Sequence, residues 1–414
     1  MMIIVFIALS LYSFFHYKKA VLLTASSLLF LPNLASGIPG IKLLYIISIL
    51  QVILFYLKGY NNLKKEPYPL WLLIPSVTTS FGYIMSDIYG ISKNLPIIIV
   101  NCICYFYYPY ILWHLLNTKE SLKQYLKYLL GFFSIVAIYA LIELGLGRNV
   151  IADFCRNYGI VENLMGTEDS RERFGLLRCN SILPYSSALG MLSALMFFIL
   201  LNLRALKLQI NKRQETILLF LLPFCVLLSG TRSQFCVFAI CLIPIFFWGD
   251  FLKTKTAKVL LLTSITVLIL FSGLFYDIAI SIIDSDNSQV GGSSSDLREV
   301  QLDICLQYFA QNPIWGNGRN YIWEYVRPYH PMLMGAESVW FPTMVDYGLV
   351  GCINYLFIVL GTIVVLWKKS LILCFFPIAF LFGKTISIVI GVELSTLLVF
   401  TILLSKMYTY YGKR

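Results

Sequence analysis

Apolar runs of spanning or near-spanning length recur along the chain at roughly 2–15, 20–36, 41–57, 68–85, 95–116, 124–147, 181–203, 215–229, 234–249, 258–276, 343–367, 371–383 and 391–408. The runs are continuous rather than alternating, and a backbone in hydrocarbon must satisfy its own hydrogen bonds, so each predicts a helix and not a barrel strand. The pattern therefore predicts an all-α polytopic membrane protein with about thirteen helices, twelve and fourteen staying open. Two polar stretches interrupt it. The expected organisation is N-terminal helices over 1–147, a first loop over 148–180, central helices over 181–276, a large loop over 277–336, and C-terminal helices over 337–414.

With 414 residues, 58% of them hydrophobic and 13% charged, the chain carries more apolar surface than a soluble core could bury. Orientation follows from lysine. Seventeen of the twenty Lys, including Lys18, Lys58, Lys119, Lys212, Lys253 and Lys368, fall in connections on one side, which the positive-inside rule assigns to the cytoplasm. Both long loops then face outward. The net charge of +11 reflects this orientation and calls for no nucleic acid. Arginine breaks the rule, because nine of the twelve lie on the external side. Their planar forks suit phosphate or carboxylate, so an anionic ligand is expected there, with pairing to loop carboxylates as the plainer alternative.

The first segment has no basic flank and no small-residue cleavage site, and reads as a retained helix. Most Cys fall within apolar runs as small core residues. Cys155, Cys179 and Cys305 lie outside, and a Cys155–Cys179 disulfide is left open. No Cys or His grouping has metal-ligand spacing, and no Gly-rich phosphate loop is present, so neither metal nor cofactor is expected.

The candidate chemistry sits in the external connections. In the first loop, Glu168, Asp169, Arg171, Glu172 and Arg173 read as a solvated helix face. Arg178, where the chain returns to the membrane before Pro184, is either a phosphate contact or a snorkelling anchor. Arg232 stands in the short turn Ser229-Gly230-Thr231-Arg232-Ser233 between two apolar runs, where an ionisable group is a functional candidate. In the second loop, flexible Gly291–Ser295 leads to a helix start at Asp296 with Glu299. Leu297, Val300, Ile304, Cys305 and Tyr308 then make one apolar face, with Arg298 off it. Asn312-Pro313 ends this amphipathic helix, and Gly316 and Gly318 allow close approach of a ligand or another backbone. Arg319, Arg327 and His330, the only external His, follow. Glu337-Ser338 opens the apolar segment to Asp346 and Gly348-Leu349-Val350-Gly351. Glu337 is a general-base candidate, or an acid favoured by a helix dipole.

Three stretches together resemble the superfamily of O-antigen ligases and Wzy-type O-antigen polymerases. Ser229–Ser233 is similar to its Ser-x-Arg turn. Ser295–Gly318 is similar to its Arg-bearing helix followed by Asn/His-Pro-Ile/Leu-x-Gly-x-Gly, and Glu337–Gly351 to its segment ending Gly-Leu-Ile-Gly. There is one departure. Ligases typically open that last segment with His, whereas Glu337 occupies the position here and His330 lies seven residues too early. The substitution favours a polymerase over a ligase.

The resemblance implies glycosyl transfer at the outer face of the bacterial cytoplasmic membrane, between polyprenyl-pyrophosphate-linked oligosaccharides, in O-antigen, capsule or exopolysaccharide synthesis. Such a reaction needs a base at the acceptor hydroxyl and positive charge at the leaving pyrophosphate. Glu337 is expected as the base, with His330 as substitute or orienter. Arg178, Arg232 and Arg298 are expected to hold pyrophosphate, with Arg319 or Arg327 assisting or holding saccharide. Candidate partners are membrane lipid and the flippase and chain-length regulator of the same pathway. A flippase is the competing class, but it should line a cavity with charge. Here only Lys384 and Glu393 border a short turn within the last helices, and they read as a structural ion pair.

Overall fold

The computed structural model describes residues 2–30, 35–38, 41–60, 102–157, 172–173, 176–247, 295–333, 336–387 and 392–412, with a few isolated positions at 68–99 and at 389. Among them are fourteen α-helices. These are α1 (Met2–Phe15), α2 (Tyr17–Phe30), α3 (Leu43–Leu57), α4 (Tyr108–Leu115), α5 (Lys119–Leu146), α6 (Val150–Asn157), α7 (Ser186–Ala205), α8 (Lys212–Leu228), α9 (Arg232–Leu242), α10 (Pro244–Phe247), α11 (Ser295–Phe309), α12 (Trp340–Trp367), α13 (Phe375–Ile386) and α14 (Leu394–Tyr411). Two minimal antiparallel ribbons accompany them, β1 (Ala35–Ile38) with β2 (Ile41–Lys42), and β3 (Glu172–Arg173) with β4 (Leu176–Leu177). The protein is an all-α, multi-pass integral membrane protein, as the apolar pattern predicts. The run at 258–276 lies outside the described residues, as do 277–294, Glu168, Asp169 and Arg171, and of the run at 68–85 only Tyr68, Pro69 and Ile74 are described.

Helices α5, α7 and α12 are each long and apolar enough to cross a membrane. Local chemistry sets the limits of α5. Thr118 and Ser121 form a reciprocal capping box at its start, and Gly147 ends it with a left-handed φ of 67°. α7 is the central helix: its span window is 94% buried, and α8, α9 and α13 pack around it. A helix enclosed on all sides can be apolar all round. The α7–α8 hairpin is pinned at one end by Arg204 Nε and Glu215 Oε2, 3.6 Å apart, while Glu215 Oε1 accepts from the amides of Ile210 and Asn211.

The segment between α9 and α12 has its own small core. Ile304 and Cys305 of α11 pack on Ile322, Val326, Leu333, Ala336, Phe341 and Val345. One expected member of the α11 face is misplaced: Val300 is exposed, and the buried position beside it belongs to Gln301. An amide can occupy that position because both of its ends are bonded. Gln301 Nε2 donates to the carbonyls of Met332 and Leu333 at 3.1 and 3.3 Å, and its Oε1 accepts from Glu337 N at 3.2 Å.

The Asn312–Gly318 and Asp346–Gly351 stretches dock on each other through a backbone exchange. In an unbroken helix Leu349 N and Val350 N would donate to the carbonyls of Val345 and Asp346. Gly348, at φ 62° and ψ −157°, breaks α12 there. All four freed groups find partners in the loop: Leu349 N donates to Pro313 O at 2.8 Å and Val350 N to Ile314 O at 3.1 Å, while Val345 O accepts from Asn317 N at 2.9 Å and Asp346 O from Gly318 N at 3.0 Å. Both sides need glycine. A Cβ on Gly316 would lie 2.4 Å from the Asp346 carbonyl, and one on Gly348 would lie 2.5 Å from Ile314 O. The close approach allowed by this glycine turn is therefore to another backbone. Asp346 extends the joint, its carboxylate accepting from Asn320 N at 2.8 Å and Ile322 N at 3.0 Å.

Candidate anion site

Three arginines and a carboxylate from four separate elements converge beside the start of α9. Arg178 precedes α7 and reaches the Ser229–Ser233 turn, its Nε 3.4 Å from Ser229 O and its Nη2 3.4 Å from Thr231 Oγ1. Burial holds its guanidinium below the usual arginine range. Arg232 opens α9, whose first turn contains no acid. A cation at a helix N-terminus is opposed by the dipole and the free amides, so the position costs stability unless an anion joins it. The charges of both Arg298 and Glu337 reach Arg232. Arg298, in the first turn of α11, has its Nη2 3.4 Å from Glu337 Oε2 and 3.2 Å from Ile386 O at the end of α13. Its Nε is buried and makes no hydrogen bond among the described residues. Among the described residues the cluster carries three positive charges against one negative.

Its members are held by groups that the sequence reading passes over. Glu143, buried in the last turn of α5, accepts from Asn180 N at 3.1 Å, from Ser181 N at 2.6 Å and from Asn149 Nδ2 at 3.1 Å. Together with the Cys179 N to Leu228 O bond at 2.9 Å, it fixes the short segment that bears Arg178. A lone carboxylate inside an apolar run was the available signal. Gln301 does the same for Glu337, and its signal was a polar residue one turn from Arg298 on the same helix. Val339 N, two residues past Glu337, donates to Lys384 O at 3.0 Å and ties this strand of chain to α13.

The other expected site residues lie elsewhere. His330 shares a hydrogen bond with Tyr308 Oη, 3.2 Å from its Nε2. Tyr308 lies ten residues beyond Arg298 on α11, about 15 Å along the axis, so His330 is not brought to the Arg298–Glu337 pair. Arg327 is exposed, lies 5.8 Å from the Trp323 ring centroid, and its charge reaches Tyr185 at the start of α7. The charge of Arg319 reaches Asp346 at the backbone joint. Cys155 and Cys179 are both free thiols, and Cys179 is buried. Lys384 differs from its expected role as an ion-pair partner: its Nζ donates to Val389 O at 2.7 Å, and Glu393 acts on it through space. Among the described residues no group of three His, Cys, Asp or Glu could hold a metal ion.

The Ser229–Ser233 turn, α9, Arg298, Glu337 and the backbone joint all fall within residues 217–356, the stretch that matches a family model described as O-antigen ligase. This stretch is an O-antigen ligase family domain. The family acts in surface-polysaccharide biosynthesis and contains glycosyl-transferring ligases and polymerases. No curated protein matches the chain. The O-antigen ligase domain covers about a third of the chain and leaves out Glu143 and Arg178, so the candidate anion site includes residues N-terminal to it.

Proposed function

We propose that the protein is a polysaccharide polymerase joining polyprenyl-pyrophosphate-linked oligosaccharide repeat units on the outer face of the cytoplasmic membrane. The observation that carries this is the gathering of Arg178, Arg232 and Arg298 beside the start of α9, where positive charge exceeds negative among the described residues. Guanidinium groups packed together with one carboxylate among them are stabilised by a dianionic guest, and a lipid-borne pyrophosphate at the membrane surface supplies one. In the proposed reaction an acceptor sugar hydroxyl attacks the anomeric carbon of the donor. The glycosidic bond forms, the bond to pyrophosphate oxygen breaks, and the departing charge stays with the arginines. Glu337, oriented by Arg298 and Gln301, takes the hydroxyl proton. Arg319 and Arg327 are assigned to the saccharide side, and His330 to positioning through Tyr308. Glu337 at the position where ligases carry His favours polymerase; transfer of finished glycan to a surface acceptor is the second reading.

The test is complementation of a null strain with Glu337→Gln and with Arg298→Ala, followed by sizing of the surface polysaccharide. Loss of long chains in both is expected, and full-length polymer from both variants sinks the assignment. In the null strain, single repeats on the surface acceptor identify a polymerase, whereas polymer retained on the carrier lipid identifies a ligase.

A further inference from the structure

The backbone joint fixes where one part of the large loop stands relative to the bilayer. α12 has 28 residues, about 42 Å if straight, which exceeds a hydrocarbon core of about 30 Å. The break at Gly348 divides it. From Leu349 to Trp367 about 19 residues remain, roughly 28 Å, which matches the core thickness. Lys368 and Lys369 follow at one end, as a membrane boundary favours, so the other boundary falls at the Gly348 break. Along this stretch Leu349, Ile353, Leu356, Leu360, Val364 and Trp367 recur every three or four residues and are all exposed, Ile353 at 61% and Trp367 at 63%. Such a stripe on a spanning helix faces lipid.

The stripe does not end at Leu349. Through the bonds from Leu349 N to Pro313 O and from Val350 N to Ile314 O, the turn after α11 is fastened to the top of this face. The next side chains in that turn are Ile314, 57% exposed, and Trp315, 38% exposed. We propose that the Ile314–Trp315 turn is a membrane anchor, seated in the interfacial layer of the bilayer beside the Gly348 end of α12. An isoleucine supplies buried apolar area and a tryptophan supplies the amphipathic ring that favours headgroup depth. Because the turn is the C-terminal sequel of α11, the anchor sets the height of α11, and with it Arg298, above the bilayer. The inference rests on α12 spanning the membrane and is independent of the polymerase reading.

Full-length protein in bilayer nanodiscs provides the test, with phosphatidylcholine brominated near the headgroup end of its acyl chains as the quencher. The emission lost on Trp315→Phe, taken as a difference from wild type, isolates the Trp315 signal. In brominated discs that difference emission is expected to disappear, while aqueous iodide leaves it largely intact. Ile314→Trp in the Trp315→Phe protein should restore a bromolipid-quenched component. Difference emission quenched by iodide and indifferent to bromolipid puts the turn in water and overturns the proposal. Emission indifferent to both puts it under protein, as in a contact with a second copy, and overturns it equally.

Discussion

Gly348→Ala tests the backbone exchange most directly. The new methyl would stand 2.5 Å from Ile314 O and 2.6 Å from Gly316 N, and alanine would have to adopt a φ of 62° with ψ near −157°. That conformation costs a non-glycine residue about 1–3 kcal/mol before the clash is counted. The alternative is to straighten α12, which regains two helical bonds but strands the carbonyls of Pro313 and Ile314 and the amides of Asn317 and Gly318. At about 0.5–1.5 kcal/mol net for each hydrogen bond, either route weakens the joint by roughly 3 kcal/mol. A loss of that size speeds local opening by about a hundredfold, since 1.4 kcal/mol is a factor of ten. Hydrogen exchange read by mass spectrometry on peptides spanning residues 310–320 should show that acceleration. Gly145→Ala is the control, because nothing lies within 4 Å of a Cβ at that position, and it should leave the same peptides unchanged. Wild-type protection of Asn317 and Gly318 in Gly348→Ala would show that the loop does not depend on the helix break.

Three further outcomes are expected. Glu143→Ala removes the acceptor of two amides and one of the two acceptors of the Asn149 side chain, at roughly 1–3 kcal/mol for each charge-assisted bond, and is expected to weaken use of the lipid-linked donor, as is Arg178→Ala. Combining the two should add little, and additive losses in the double variant would separate Glu143 from Arg178. Cys305 is buried, and burial together with the nearby Asp346 pushes its thiol up to about 12, so maleimide at pH 8 should leave it unlabelled in the folded protein; rapid labelling there would contradict the packing of α11. Denaturation without reductant should make Cys155 and Cys179 fully alkylatable, and a mass deficit of two labels would reveal a disulfide.

The sequence carried the membrane architecture because hydrocarbon forces continuous apolar runs into helices, and the observed bounds of α1, α3, α5, α7, α8, α12 and α14 lie within a few residues of those runs. It also pointed to Arg178, Arg232, Arg298 and Glu337, because ionisable groups beside membrane segments are costly to keep. It could not supply their partners. Glu143 stands 38 positions before the Ser181 amide it holds, and Gln301 stands 36 before Glu337, separations over which local patterning carries no information. His330 and Glu337 are close along the chain yet contact different turns of α11, at Tyr308 and at Arg298, because Pro331–Leu333 and the bonds from Gln301 fold the intervening chain back. Gly316 and Gly348 were recognisable as permissive positions. That each makes room for the other's backbone was decided only by the break in α12, whose four freed peptide groups could not stay unpaired and found their complement in the loop.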